Sequence, residues 1–141
     1  STIEPKITFK RLENVIKYTS THGLFPEKIR PDKFWILFGY TSAHASFIWA
    51  LNSLLCADNG KTLYIAAGIP KKWQNLKFSN IYTASGYGVS FTLKNGKATN
   101  LIVENCREKD RLIIIKVLNQ NFEGGVKSIK KILSPGKNKI I

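Results

Sequence analysis

The chain has 141 residues, enough for one domain of ordinary size or for a small domain with an appended fragment, and too few for three domains. Hydrophobic residues at 43% and aromatics at 11% place it among globular proteins and exclude a disordered polar chain. The net charge of +13 attracts polyanions, but the basic residues are spread along the sequence without a helix-turn-helix, zinc-finger or RNP-type pattern, so nucleic acid is not the expected partner.

From Pro5 to about Thr19, Leu12, Val15, Ile16 and Thr19 recur at helical spacing while Lys6, Lys10, Glu13 and Lys17 take the other side, which predicts an amphipathic helix stopped near Gly23. The stretch Leu24–Gly39 holds Pro26, Pro31 and the apolar run Phe34–Phe38, and reads as an ordered loop whose bulky side chains dock on other elements. Ser42 caps a second predicted helix that runs to about Ala57. No charged residue occurs from Ala43 to Ala57, so this helix is expected to be buried nearly all round. Two helices and one small sheet offer too few facing layers for that much apolar surface, which points to helices missing from this chain.

After Asp58-Asn59-Gly60 the texture changes to short β-branched and aromatic runs separated by Gly, Pro and Asn. Strands are predicted at Thr62–Ala67, Asn80–Ala84, Tyr87–Leu93, Ala98–Asn105, Arg111–Leu118 and Lys127–Leu133. Asn95-Gly96 joins two of them as a tight hairpin, because both central positions tolerate positive φ. Val89, Phe91 and Leu93 alternate with Ser90 and Thr92, which gives one buried and one polar side. The unbroken run Leu112–Ile115 predicts a central strand covered on both faces. The expected fold class is α+β, two N-terminal helices packed on a small antiparallel β-sandwich, divided into a helical hairpin over 1–58 and a sandwich over 59–141.

Cys56 and Cys106 are too few for a disulfide scaffold, and with His22 and His44 they lack zinc spacing, so two buried thiols and no metal site are expected. Gly86 and Gly88 lead into a strand where a phosphate loop would open a helix, and no cofactor is implied. No apolar run reaches the roughly 18 residues a membrane span needs, so no membrane is expected as a partner.

Two segments carry a resemblance to known proteins. Gly23-Leu24-Phe25-Pro26-Glu27 followed by Gly39-Tyr40-Thr41-Ser42-Ala43-His44-Ala45 resembles the end of the (α/α)₆ barrel of glucoamylase-like inverting glycosidases, with Ser42 at the usual Trp position and Lys28 where Gln is common. Leu63–Trp73, with Ile69-Pro70-Lys71-Lys72-Trp73, then Ala84–Phe91 and Lys94–Lys97, resembles the C-terminal β-sandwich of fucosidase, rhamnosidase and disaccharide-phosphorylase families. The resemblance implies that residues 1–58 are the closing part of a catalytic barrel whose remainder is missing, that Glu27 matches the general base, and that a carbohydrate is the substrate. Inversion requires two carboxyl groups about 6.5–9.5 Å apart, and the acid is expected upstream of Ser1. Trp35 and Tyr40 flank the Glu27 segment and are the candidate sugar contacts. Trp49 and Trp73 are expected to be structural, and His44 is a core histidine or an orienting group for Glu27. A non-catalytic carbohydrate-binding module and a polyanion-binding protein are the alternative readings.

Overall fold

The computed structural model describes residues 5–17, 25–29, 35–38, 41–118 and 126–141. Among them are two helices, α1 (Pro5–Ile16) and α2 (Thr41–Leu55), and ten strands: β1 (Pro26–Ile29), β2 (Trp35–Phe38), β3 (Cys56–Asp58), β4 (Thr62–Ile65), β5 (Leu76–Tyr82), β6 (Tyr87–Lys94), β7 (Lys97–Asn105), β8 (Arg111–Leu118), β9 (Val126–Leu133) and β10 (Gly136–Lys139). The fold is α+β. Two four-stranded sheets, ordered β10-β7-β6-β5 and β3-β4-β8-β9, face each other as a β-sandwich, and β1 and β2 form a separate ribbon. All pairings are antiparallel except β4 with β8, which run parallel because the chain crosses to the opposite sheet and back between them.

The alternating pattern of β6 does what its sequence predicts. Tyr87, Val89, Phe91 and Leu93 are buried and meet Leu63, Ile65, Ile113, Ile115, Val117 and Leu133 from the other sheet in one continuous core. Leu101 and Val103 of β7 join the same layer. β5 keeps phase with β6 through a bulge between Phe78 and Ile81, where Asn80 adopts φ 56° and the extra residue returns Ile81 to the inner face. At the β6–β7 turn Asn95 (φ 50°) and Gly96 (φ 74°) both take the left-handed conformation that the Asn-Gly pair predicted. Asn105, buried at the end of β7, donates through Nδ2 to the carbonyls of Lys109 and Leu133 (2.8 and 3.0 Å) and accepts from the Arg107 amide at 3.1 Å, which fixes the loop between the sheets.

Several expectations are corrected. The 24–39 segment is not a loop: β1 and β2 pair within it, with Pro26 opposite Phe38, Lys28 opposite Ile36 and Ile29 opposite Trp35. The Pro-containing composition masked strands of four residues each. Gly23, the predicted stop of α1, lies outside the described residues. α2 ends at Leu55 and gives way at once to β3, so Cys56 and Ala57, expected to be helical, form with Asp58 an edge strand of the second sheet. β5 begins at Leu76, four positions before its predicted start at Asn80, and β10 was not predicted at all. The 111–118 strand is central in its sheet but open on one face: Leu112 is 58% exposed, and Ile132, which pairs with it, is 60% exposed. Cys106 is exposed, and only Cys56 is buried.

α2 is not covered on all sides either. Leu54 and Leu55 are buried against the sandwich, while Ile48 and Trp49 are 56% and 74% exposed. Its C-terminal end explains the abrupt change to strand. The last carbonyls of a helix lack partners within the helix. Here the Ala66 amide donates to the Leu55 carbonyl at 2.6 Å and the Gly68 amide to the Leu54 carbonyl at 3.1 Å, so a turn of the sandwich replaces the glycine cap that a sequence reading looks for. Gly68 permits this approach, because a Cβ there would lie 2.9 Å from the Leu54 Cα. Gly68→Ala is therefore expected to destabilise the fold by about 1–3 kcal/mol in denaturant unfolding, as overpacking does, whereas Ala67→Ser beside it is expected to change little.

Candidate functional site

The residues singled out by the resemblance fall on the ribbon and on the first turn of α2. Glu27 lies on β1 and Trp35 on β2. The register opposes Pro26 to Phe38, Lys28 to Ile36 and Ile29 to Trp35, so Glu27 and Trp35 stand on paired strands of one ribbon, an arrangement that a loop reading could not foresee. Tyr40 lies outside the described residues.

His44 connects this ribbon to α2. The Phe25 amide donates to His44 Nε2 at 3.3 Å, so that nitrogen acts as an acceptor. The Phe25 ring is tilted against both the His44 imidazole and the Phe47 ring, with centroids 4.8 Å away in each case. Because Phe25 immediately precedes β1, His44 holds the strand that carries Glu27 onto the start of the helix. The imidazole thus has a local structural function.

The remaining aromatics sort by burial. Trp49 stands out from α2 where a structural role was expected. Trp73 is half-buried against the sandwich core, in the turn whose Lys72 ammonium contacts Glu13 of α1 at 3.0 Å. Tyr87 is fully buried and unavailable to a ligand, while Tyr82 is exposed.

A second polar constellation, missed in the sequence, sits where β3 meets the β5–β6 turn. Asp58 Oδ1 accepts from the Ser85 hydroxyl and from the Gly60 amide (2.8 Å), and Oδ2 accepts from the Ser85 amide at 3.4 Å. The Arg111 guanidinium donates to the Ser85 carbonyl at 2.7 Å and lies 4.3 Å over the Tyr87 ring. Partial burial raises the pKa of Asp58, but its bonds from Ser85, Thr83 and Gly60 outweigh that and hold the carboxyl below its ordinary value. A carboxylate stabilised in its ionised form is a poor base, so Ser85 is bound rather than activated as a nucleophile. The cluster is a clamp. Asp58-Asn59-Gly60 signalled only a turn, and no local pattern announced that its partner would be Ser85, 27 residues on.

Burial sets the two thiols apart. It pushes the Cys56 thiol up to about 12, with the Asp58 charge adding to the effect. Among the described residues no group of three or more His, Cys, Asp or Glu side chains is placed to hold a metal, and no helix is long and apolar enough to cross a membrane.

Because the folded-state pKa of Asp58 is depressed, its contribution to stability is present above the unfolded carboxylate pKa and is lost as pH falls through the folded value. Asp58→Asn is therefore expected to destabilise the protein clearly at pH 7 and much less at pH 3. Equal losses at both pH values, in unfolding curves of the two proteins, would remove the charge from the account. Iodoacetamide at pH 8 is expected to label Cys106 in the folded protein and Cys56 only after unfolding, as peptide mass mapping would read. No known family model matches the chain, and no curated protein matches it.

Proposed function

We propose that this chain is the C-terminal region of an inverting glycoside-hydrolase-type protein acting on an oligo- or polysaccharide, in which α1, the ribbon and α2 close a helical barrel and the sandwich braces it. The observation that carries this reading is the state of α2: fifteen residues without a charge, anchored at Leu54 and Leu55, with Ile48 and Trp49 left facing outward. A helix of that composition calls for a second apolar layer, and a barrel supplies one.

In this reading Glu27 is the general base, Trp35 and Tyr40 line the sugar subsite, and the helical layer covering α2 supplies the general acid. The base removes a proton from water as the water attacks the anomeric carbon. The acid protonates the departing glycosidic oxygen on the opposite side of the ring. Support for Glu27 comes from the ribbon, which pairs its strand with that of Trp35, and from the Phe25–His44 bond that ties the start of β1 to α2. A short strand tied at its start suits a group that must hold one water in line.

The test is made on the native full-length gene product. Glycan hydrolysis with inverted anomeric configuration, followed by NMR, is expected, and Glu27→Gln is expected to lower kcat by about 10²–10⁴-fold without changing the melting temperature. Retention of configuration, or a Glu27→Gln protein as active as the parent, contradicts the assignment.

A further inference from the structure

The outer face of the β10-β7-β6-β5 sheet carries a different arrangement, independent of the ribbon. Tyr82 pairs with Gly88, and Gly88 pairs with Glu104 on the next strand. The Tyr82 ring lies over that glycine: a Cβ on Gly88 would meet Tyr82 Cε1 at 2.7 Å. Its hydroxyl reaches Glu104 Oε2 at 3.4 Å. The ring is thus held against the sheet at both ends and is still 61% exposed. An aromatic side chain seated on a glycine and tethered through its hydroxyl loses little conformational freedom when something stacks on it.

Around the ring the face is polar. In the neighbouring row the Asn80 amide donates to Ser90 Oγ at 3.1 Å, and Ser90 donates to Asn80 Oδ1 at 3.4 Å. Lys137 stands opposite Glu104, Lys139 opposite Ile102 and Lys77 opposite Thr92, all exposed, and with the exposed pair Lys94 and Lys97 at the far end of the face they outnumber its one carboxylate, Glu104, which Tyr82 engages. An exposed ring beside hydroxyl and amide groups fits the apolar side and hydroxyl rim of a pyranose, and the surrounding ammonium groups fit carboxylates spaced along a chain.

We propose that this face binds an acidic oligosaccharide built of uronate residues, with one sugar ring stacked on Tyr82 and its neighbours' carboxylates taken by Lys77, Lys137 and Lys139. Single-stranded nucleic acid fits less well. Such platforms stack successive bases on successive aromatic rings, and here the face offers one ring, Tyr82, beside hydroxyl and amide groups. The site lies wholly on the sandwich and does not depend on Glu27, so the glycosidase reading and this one stand or fall separately.

Titration of the whole chain with tetragalacturonate, followed by calorimetry and by amide NMR, tests it. Binding is expected, with shift changes confined to β5, β6, β7 and β10, and cellotetraose is expected to bind at least about tenfold more weakly for want of carboxylates. Tyr82→Ala is expected to weaken tetragalacturonate about tenfold, Tyr82→Phe far less, and Lys137→Gln with Lys139→Gln to weaken it and flatten its salt dependence. No binding at millimolar tetragalacturonate, shifts on another surface of the wild-type protein, or cellotetraose binding as tightly each overturns the proposal. Oligo-dT binding as tightly with the same Tyr82 dependence overturns it in favour of nucleic acid.

Discussion

Two backbone hydrogen bonds decide how the helical part of this protein meets its β-sandwich. The Ala66 and Gly68 amides occupy the Leu55 and Leu54 carbonyls, and Gly68 has no side chain to keep the two backbones apart. A helix end satisfied in this way needs neither a glycine cap nor a linker, and α2 passes into β3 without an intervening residue. β3 then pairs with β4, so the helix axis is fixed by the register of a sheet and not by a flexible connection. Asp58 extends the same joint by gripping Ser85, and Arg111 by holding the Ser85 carbonyl from β8. Helix end, sheet edge and β5–β6 turn form one continuous polar seam beside the core.

That joint gives α2 its character. Its C-terminal end is buried at Leu54 and Leu55, its N-terminal turn carries His44 and the strand leading to Glu27, and its middle presents Ile48 and Trp49 outward. In the proposed reading, a sandwich that fixes the helix in this orientation braces the helical layer on its opposite side. The proposed catalytic ribbon and the proposed glycan face lie on different parts of the molecule, one mounted on α2 and the other on the sheet turned outward by β6 and β7.

What the sequence made legible follows from how local each signal is. The alternation of Val89, Phe91 and Leu93, the Asn95-Gly96 turn and the 111–118 strand depend on neighbours in the chain, and all three form where they were expected. The end of α2 depends on amides eleven and fourteen residues further on, so no local reading could place it. Asp58 and Ser85 likewise meet only through the fold. The uncharged run of α2 and the apolar Leu112–Ile115 segment were read as covered on every side because composition reports what a residue prefers, not what is present to cover it. Trp49 in the first segment and Leu112 and Ile114 in the second are exposed instead. For the candidate site, the resemblance singled out Glu27 and Trp35, whereas the ribbon that pairs their strands was not legible.

α2 and the sandwich are joined as one body through the amides of Ala66 and Gly68. Native-state hydrogen exchange measures it directly. These two amides are expected to exchange as slowly as those of Val89 and Phe91 in β6, with the last turn of α2 protected to the same degree. Rapid exchange at Ala66 and Gly68 while β6 stays protected would contradict it, because the helix would then be free of the sandwich it is said to depend on.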